Sequence, residues 1–223
     1  MNTSDSVYKV RQNYHSGCMK RLPSENAIRK AVEVFRRSGG TLRTREAAAA
    51  GVHYSTLYGM RDAGLLEQLS RGVYRLAEFP APSRYDVVAV AARAPGAVLC
   101  LISALDFHDI GTQIPSAVSI AIGPRDRRPQ LDYPPIRVYR MSGSALTSGV
   151  EEHSVDGTAV RVFSVAKTVA DCFKFRNKIG LDVALEALAE ALRSNKAMPA
   201  QIMEFAAIDR VSRIVRPYLE AMQ

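Results

Sequence analysis

The spacing of apolar positions divides the chain into two parts. After Pro23-Ser24-Glu25, Ala27, Ile28, Ala31, Val32, Val34 and Phe35 recur at three and four, while Arg29, Lys30, Glu33 and Arg36 fill much of the other side. This period predicts an amphipathic helix with Ile28, Ala31 and Phe35 inward, ended by Gly39-Gly40. A short extended piece at 41–43 follows, then Thr44 as N-cap of a helix over REAAAAG, closed by Gly51. Gly51-Val52 makes a turn into a second short helix over about 53–63, ended by Gly64. Two strands, 66–69 and 73–76, flank the turn Ser70-Arg71-Gly72.

Beyond a proline-bearing linker at 79–83 the pattern alternates between element types. It predicts a helix at 84–93, a buried strand at 97–101 and a helix capped by Ser103 through Asp109. Strands are expected at 118–122, 136–141, 151–155 and 158–163, with a loop from Pro124 to Pro135. Four helices close the chain, at 164–178, 182–194, 199–208 and 211–222, with Ser164 and Asp182 in N-cap positions and Pro199 in a first turn. The expected fold is α/β (α+β): an N-terminal winged helix-turn-helix over 23–78, then a mixed α/β domain over 84–223 that ends in helices. Residues 1–22 are a basic lead-in without periodicity.

Three short helices and a hairpin within so short a span make a specific demand. The turn must hold the last helix across the one before it, so that its N-terminal end can enter a major groove about 12 Å wide. Val52, Leu57 and Met60 are the inward contacts of that arrangement. Tyr54, Ser55, Tyr58, Arg61 and Asp62 then face outward, and Thr56 lies between the two sides. Ser55 and Thr56 could donate to phosphates or bases, and Arg61 could bind a phosphate or read guanine. Arg43, Thr44 and Arg45 open the preceding helix, where backbone N–H groups and two arginines suit a phosphate. Arg71 at the hairpin tip reaches toward a minor groove or flanking phosphate, with Arg75 in support. His53 reads as a helix-start residue, and Tyr74 as the contact that packs the wing.

Charge sharpens this reading. The 223 residues carry a net charge of +8. Residues 1–78 hold 13 basic and 7 acidic residues, net +6, against 17 and 15, net +2, in the remainder. The basic excess is therefore concentrated where the winged helix is predicted. Part of it, however, belongs to Lys9, Arg11, Lys20 and Arg21 in the lead-in.

Candidate chemistry in the second domain is sparse. Cys18, Cys100 and Cys172 are odd in number and far apart, which is poor material for a disulfide framework. His15, His53, His108 and His153 form no zinc spacing with them, so no metal and no cofactor are expected. Ser164 and Lys167 have the spacing of an acylating serine–lysine pair, but capping accounts for Ser164. Asp106 and Asp171 are the carboxylates that a metal-dependent nuclease would use, and this is the enzymatic alternative. Cys172 reads as a small buried hydrophobe. Lys167, Lys174 and Lys178, spaced by seven and four, fall on one helix face, and Arg125, Arg127 and Arg128 share a loop. Either set could meet phosphates or an acidic protein surface. The longest apolar-rich run, 87–105, is broken by Arg93 and Pro95-Gly96, and the N-terminus lacks a signal peptide's apolar stretch, so a cytoplasmic location without membrane contact is expected.

Three stretches together resemble the AbiEi family, the antitoxins of type IV abortive-infection toxin–antitoxin systems. They are GGTLRTREAAAAGVHYSTLYGMRDAGLLEQLSRGVYRL, LISALDFHDIGTQIPSAVSIAI and FSVAKTVADCFKFRNKIGLDVALEALAEALR, spanning 39–193. The resemblance implies a non-enzymatic, two-domain transcriptional repressor that binds inverted repeats in the promoter DNA of its own operon. Residues 53–61 match the recognition helix and 66–76 the wing. It further implies functional antagonism of a nucleotidyltransferase-like toxin without a lasting complex, and pairing of monomers or weak dimers on DNA. A chain of this type without a toxin partner would keep the regulator role alone.

Overall fold

Ser24 begins the first helix by accepting a hydrogen bond from the Ala27 N–H at 3.3 Å. The computed structural model describes residues 23–79 and 84–222, so the lead-in 1–22 and most of the expected linker lie outside the described residues. Two compact units result. The first runs to Arg93 and takes in 131–133 and 154–159; the second comprises 94–130, 134–153 and 160–223. The helix expected to open the second domain at residue 84 therefore counts with the first unit.

In the first unit, α1 (Glu25–Arg37) buries Ile28, Ala31 and Phe35, the positions set by the 3.6-residue period. β1 (Thr41–Arg43), α2 (Thr44–Ala49) and α3 (Tyr54–Asp62) follow, then the wing strands β2 (Leu66–Ser70) and β3 (Val73–Leu76). The strands form an antiparallel sheet in the order β1-β3-β2, pairing Thr41 with Arg75 and Glu67 with the same Arg75. Gly72 turns the wing with φ +77°, a conformation that costs glycine nothing. Ile28, Phe35, Leu57, Met60, Leu66 and Tyr74 share one core. α4 (Tyr85–Arg93) joins Val88 and Ala89 to Leu69 and Val73 of the wing, and the Tyr85 hydroxyl donates to the Leu69 carbonyl at 3.1 Å.

Thr44 is not the cap of α2. Arg43 holds that position, and its N–H donates to Glu46 at 2.9 Å. Thr44 is drawn instead to the wing turn, where both its N–H and its hydroxyl donate to the Gly72 carbonyl, at 2.9 and 3.2 Å.

The second unit contains β4 (Val98–Leu99), α5 (Leu101–Phe107), β5 (Val118–Ile122), β6 (Ile136–Arg140), α6 (Ser144–Thr147) and most of β7 (Val150–Val155) and β8 (Thr158–Phe163), whose turn end, 154–159, counts with the first. It closes with α7 (Val165–Lys174), α8 (Arg176–Ile179), α9 (Leu181–Arg193), α10 (Pro199–Ile208) and α11 (Ser212–Ala221). The five strands run β6-β5-β4-β8-β7; β5 is antiparallel to β4 and parallel to β6, and β4 is parallel to β8. α7 is the central helix, with every residue from Val165 to Phe173 buried. Ser164 caps it through the Lys167 N–H at 3.3 Å, as its position predicts.

Three expectations fail here for local reasons. The helix expected over 164–178 breaks at Phe175 into α7 and α8. Ser103 lies inside α5, whose cap is Cys100, because its buried hydroxyl accepts from the Ser119 N–H at 2.8 Å and so ties the helix to β5. Asp182 is the second residue of α9 and Gly180 its cap, at φ +100°. A side chain at Gly180 would collide with the Asp182 carboxylate.

Candidate nucleic-acid interface

α3 presents two different sides. Thr56, Leu57 and Met60 are buried, and Leu57 and Met60 are anchored in the core at 1% and 0% exposure. Tyr54 and Tyr58 are 50% and 42% exposed, and His53 and Ser55 lie open beside them. Leu57 and Met60 fix the rotation of the helix, so the outward residues follow from its period. The ambiguous Thr56 turns inward, which removes it from the accessible set.

Arg61 is reachable but engaged. Its Nε and Nη2 donate to Asp62 Oδ1 at 2.9 and 2.6 Å, and its guanidinium carbon lies 5.3 Å from the centre of the Tyr58 ring. The hydrogen bond to Asp62 raises the Arg61 pKa. Any phosphate or guanine must compete with that carboxylate.

The other basic residues of the unit separate clearly. Arg45 and Arg71 are exposed, Arg71 at the wing tip. Arg43 is turned back: its Nε donates to the Ala92 carbonyl, Glu46 is 3.9 Å away, and burial lowers its pKa. Arg75, expected beside Arg71, is only 1% exposed. It sits on the central strand between Thr41 and Glu67, with its guanidinium 5.9 Å from the centre of the Phe79 ring. Arg43 and Arg75 are therefore corrected from DNA contacts to structural residues, as is Thr44 with its bonds to Gly72.

The second expected basic face does not form as a stripe. Lys167 is wholly buried, with Nζ 2.5 Å from Asp171 Oδ1 and 2.9 Å from Asp209 Oδ2. Lys174 reaches Asp209 Oδ1 at 2.8 Å. Burial pushes the Asp171 carboxyl well up, a shift that Asp209 reinforces and Lys167 opposes. Burial also pushes Asp209 up, but hydrogen bonds from Asp171 and the lysines, with the charge of Lys167, hold it below the usual range.

Lys178 lies beyond the helix break, exposed, with Nζ 5.9 Å from the centre of the Tyr139 ring. Arg125, Arg127 and Arg128 are exposed in a loop held by Arg140, whose Nη1 donates to the carbonyls of Gly123, Pro124 and Asp126 at 3.0, 2.8 and 3.0 Å.

Residues singled out for chemistry have structural partners. Asp171 serves Lys167. Cys172 is fully buried, and burial raises its thiol pKa. His108 Nε2 lies 2.8 Å from the Phe163 carbonyl, and burial lowers its pKa. Among the described residues no three His, Cys, Asp or Glu side chains are grouped to hold a metal. No described helix is long and apolar enough to cross a membrane.

Residues 29–77 match the family described as "Transcriptional regulator, AbiEi antitoxin". The matched segment is the helix-turn-helix unit. This AbiEi match runs from α1 through β3 and so takes in the recognition helix and the wing; the rest of the chain lies beyond it. No curated protein matches the chain. Among solved structures the chain is similar to the crystal structure of the RV2827C protein from Mycobacterium tuberculosis, at 15% identity and a TM-score of 0.48, over 86% of this chain and 84% of that one. The AbiEi match is to a regulator, and the buried pairing of Asp171 gives the nuclease alternative no support.

Proposed function

We propose that the protein is a sequence-selective DNA-binding repressor of the AbiEi type that regulates its own operon. α3 enters the major groove, and Arg71 of the wing and Arg45 at the start of α2 meet flanking phosphates. The observation that carries this reading is the two-sided α3, with Leu57 and Met60 locked inward while His53, Tyr54, Ser55 and Tyr58 remain open. The net +6 of residues 1–78 supplies the sequence-independent attraction. Inverted repeats would bring two protomers together on DNA.

The second part of the proposal is antagonism of a nucleotidyltransferase-like toxin. It rests on the resemblance of the segment 163–193, with Lys178 and the arginines 125, 127 and 128 as its exposed basic groups and Lys174 half-buried against Asp209. A neighbouring gene for such a toxin would support it; a gene standing alone would reduce the protein to a solitary regulator.

The test of the DNA reading is a mobility shift with the protein's own promoter fragment against random DNA at physiological salt. Promoter binding at least about a thousandfold tighter is expected of a specific regulator. Equal affinity for the two would sink the repressor reading. Arg61→Ala should weaken promoter binding, and an unchanged affinity would reject this orientation of α3.

A further inference from the structure

His53 precedes α3 as its N-cap, and its ring accepts a capping hydrogen bond. The backbone N–H of Ser55 donates to His53 Nδ1 at 3.2 Å, so Nδ1 offers a lone pair and carries no hydrogen. In that tautomer the Ser55 hydroxyl, 2.8 Å from the same nitrogen, is a second donor sharing its one lone pair. Two consequences follow. The ring hydrogen of His53 is on Nε2, on the far side of an exposed side chain. In that tautomer the Ser55 hydroxyl hydrogen is directed at Nδ1 and its oxygen is left as an acceptor.

We infer that His53 is a specificity-determining residue whose Nε2–H donates to the N7 of a purine in the major groove. This rests on the repressor reading above. Three observations favour a base over a phosphate. The capping bonds to Ser55 fix the ring's orientation, which suits reading an edge rather than following a mobile charge. His53 adjoins the exposed Tyr54, their ring centres 6.5 Å apart at 70°, so its flank is aromatic and not cationic. The next basic group along the helix, Arg61, is engaged by Asp62 and Tyr58. Purine N7 is an acceptor on both adenine and guanine edges, and a single N–H donor distinguishes purine from pyrimidine at that position.

The experiment begins with selection of the preferred site from randomised duplexes by the full-length protein. Each purine of that site is then replaced in turn by its 7-deaza analogue, which removes N7 and leaves the phosphates unchanged. The inference expects one position per half-site where the analogue weakens wild-type binding about fivefold, the scale of one lost hydrogen bond. His53→Ser keeps a good helix cap and loses the donor. It should bind the natural site about fivefold more weakly, show no further loss on the analogue, and keep its affinity for random DNA. No sensitive position in the wild type would overturn the inference without touching the repressor reading. Equal weakening of His53→Ser on selected and random DNA would overturn it as well, making His53 a phosphate anchor. Failure to select any site would remove the repressor reading and this inference together.

Discussion

α3 and α7 are helices of similar length that each pair a cation with an aspartate, and the pairs have opposite consequences. Arg61 and Asp62 stand in water, with side chains 37% and 36% exposed, whereas Lys167 and Asp171 are at 0%. An exposed pair of this kind contributes between nothing and about 1 kcal/mol. A buried cation without its partner is far more costly. The same residue classes therefore form a solvated surface pair in one unit and part of the buried interior in the other, and the environment decides which.

The largest expected effect follows from breaking the buried side. Lys167→Ala leaves Asp171 and Asp209 facing each other without their shared cation, and should destabilise the second unit by about 3–5 kcal/mol. Urea unfolding checks this, and a loss below 1 kcal/mol would show that the network is not structural. Lys178→Ala, beyond the helix break, should leave the midpoint unchanged.

The proton in that network gives a second, smaller effect. Asp171 has a folded pKa well above 3.8, so over the interval between the two values the unfolded chain releases a proton that the folded chain retains. Its stabilising contribution is complete below 3.8 and is lost as pH rises toward the folded pKa, by up to about 1.4 kcal/mol per pH unit. Asp209 has the opposite sign: its pKa is depressed, so its contribution is present above 3.8 and fades as pH falls. Asp171→Asn removes the first dependence alone. Its stability relative to wild type should therefore improve with rising pH across that interval, as followed by unfolding at several pH values. A parallel pH profile for the two proteins would contradict a raised Asp171 pKa.

The two helices were not equally legible from the sequence. Leu57 and Met60 define a narrow apolar side on α3, so their spacing gave both the rotation and the outward set. α7 is apolar nearly all round, and a spacing of seven and four aligns Lys167 with Lys174 without saying which side meets solvent. The signal that could have found the pair was Lys167 and Asp171, four apart in VAKTVADCF, a run otherwise too apolar to be a surface. Asp209 carries no such signal, since it arrives at the C-terminal cap of α10, 42 residues later. Arg75 fails for a related reason. Alternation along β3 assigns Tyr74 and Arg75 to opposite faces, but β3 is the central strand and all four of its residues are buried. His53 reads from the sequence as a helix-start residue, and the role proposed for it depends on the placement of Ser55, which no spacing shows.

The smallest effect separates the two wing arginines. Arg71 is exposed at the turn and is proposed to meet a phosphate, whereas Arg75, four residues on, is 1% exposed. Arg71→Ala should weaken selected and random DNA alike by a few-fold and reduce the slope of log K against log salt by about 0.9, the release of one phosphate's counterions. Arg75→Ala should leave that slope unchanged and lower the thermal midpoint, because its removal opens space between Thr41, Glu67 and Phe79 in the sheet. Salt titrations of both variants, with melting curves alongside, make the distinction. A reduced slope for Arg75→Ala would mean that the wing opens on DNA and releases a side chain that is buried here. An unchanged slope for Arg71→Ala would move the wing off the phosphates and leave the N-terminal part of α3 and Arg45 as the contacts to test.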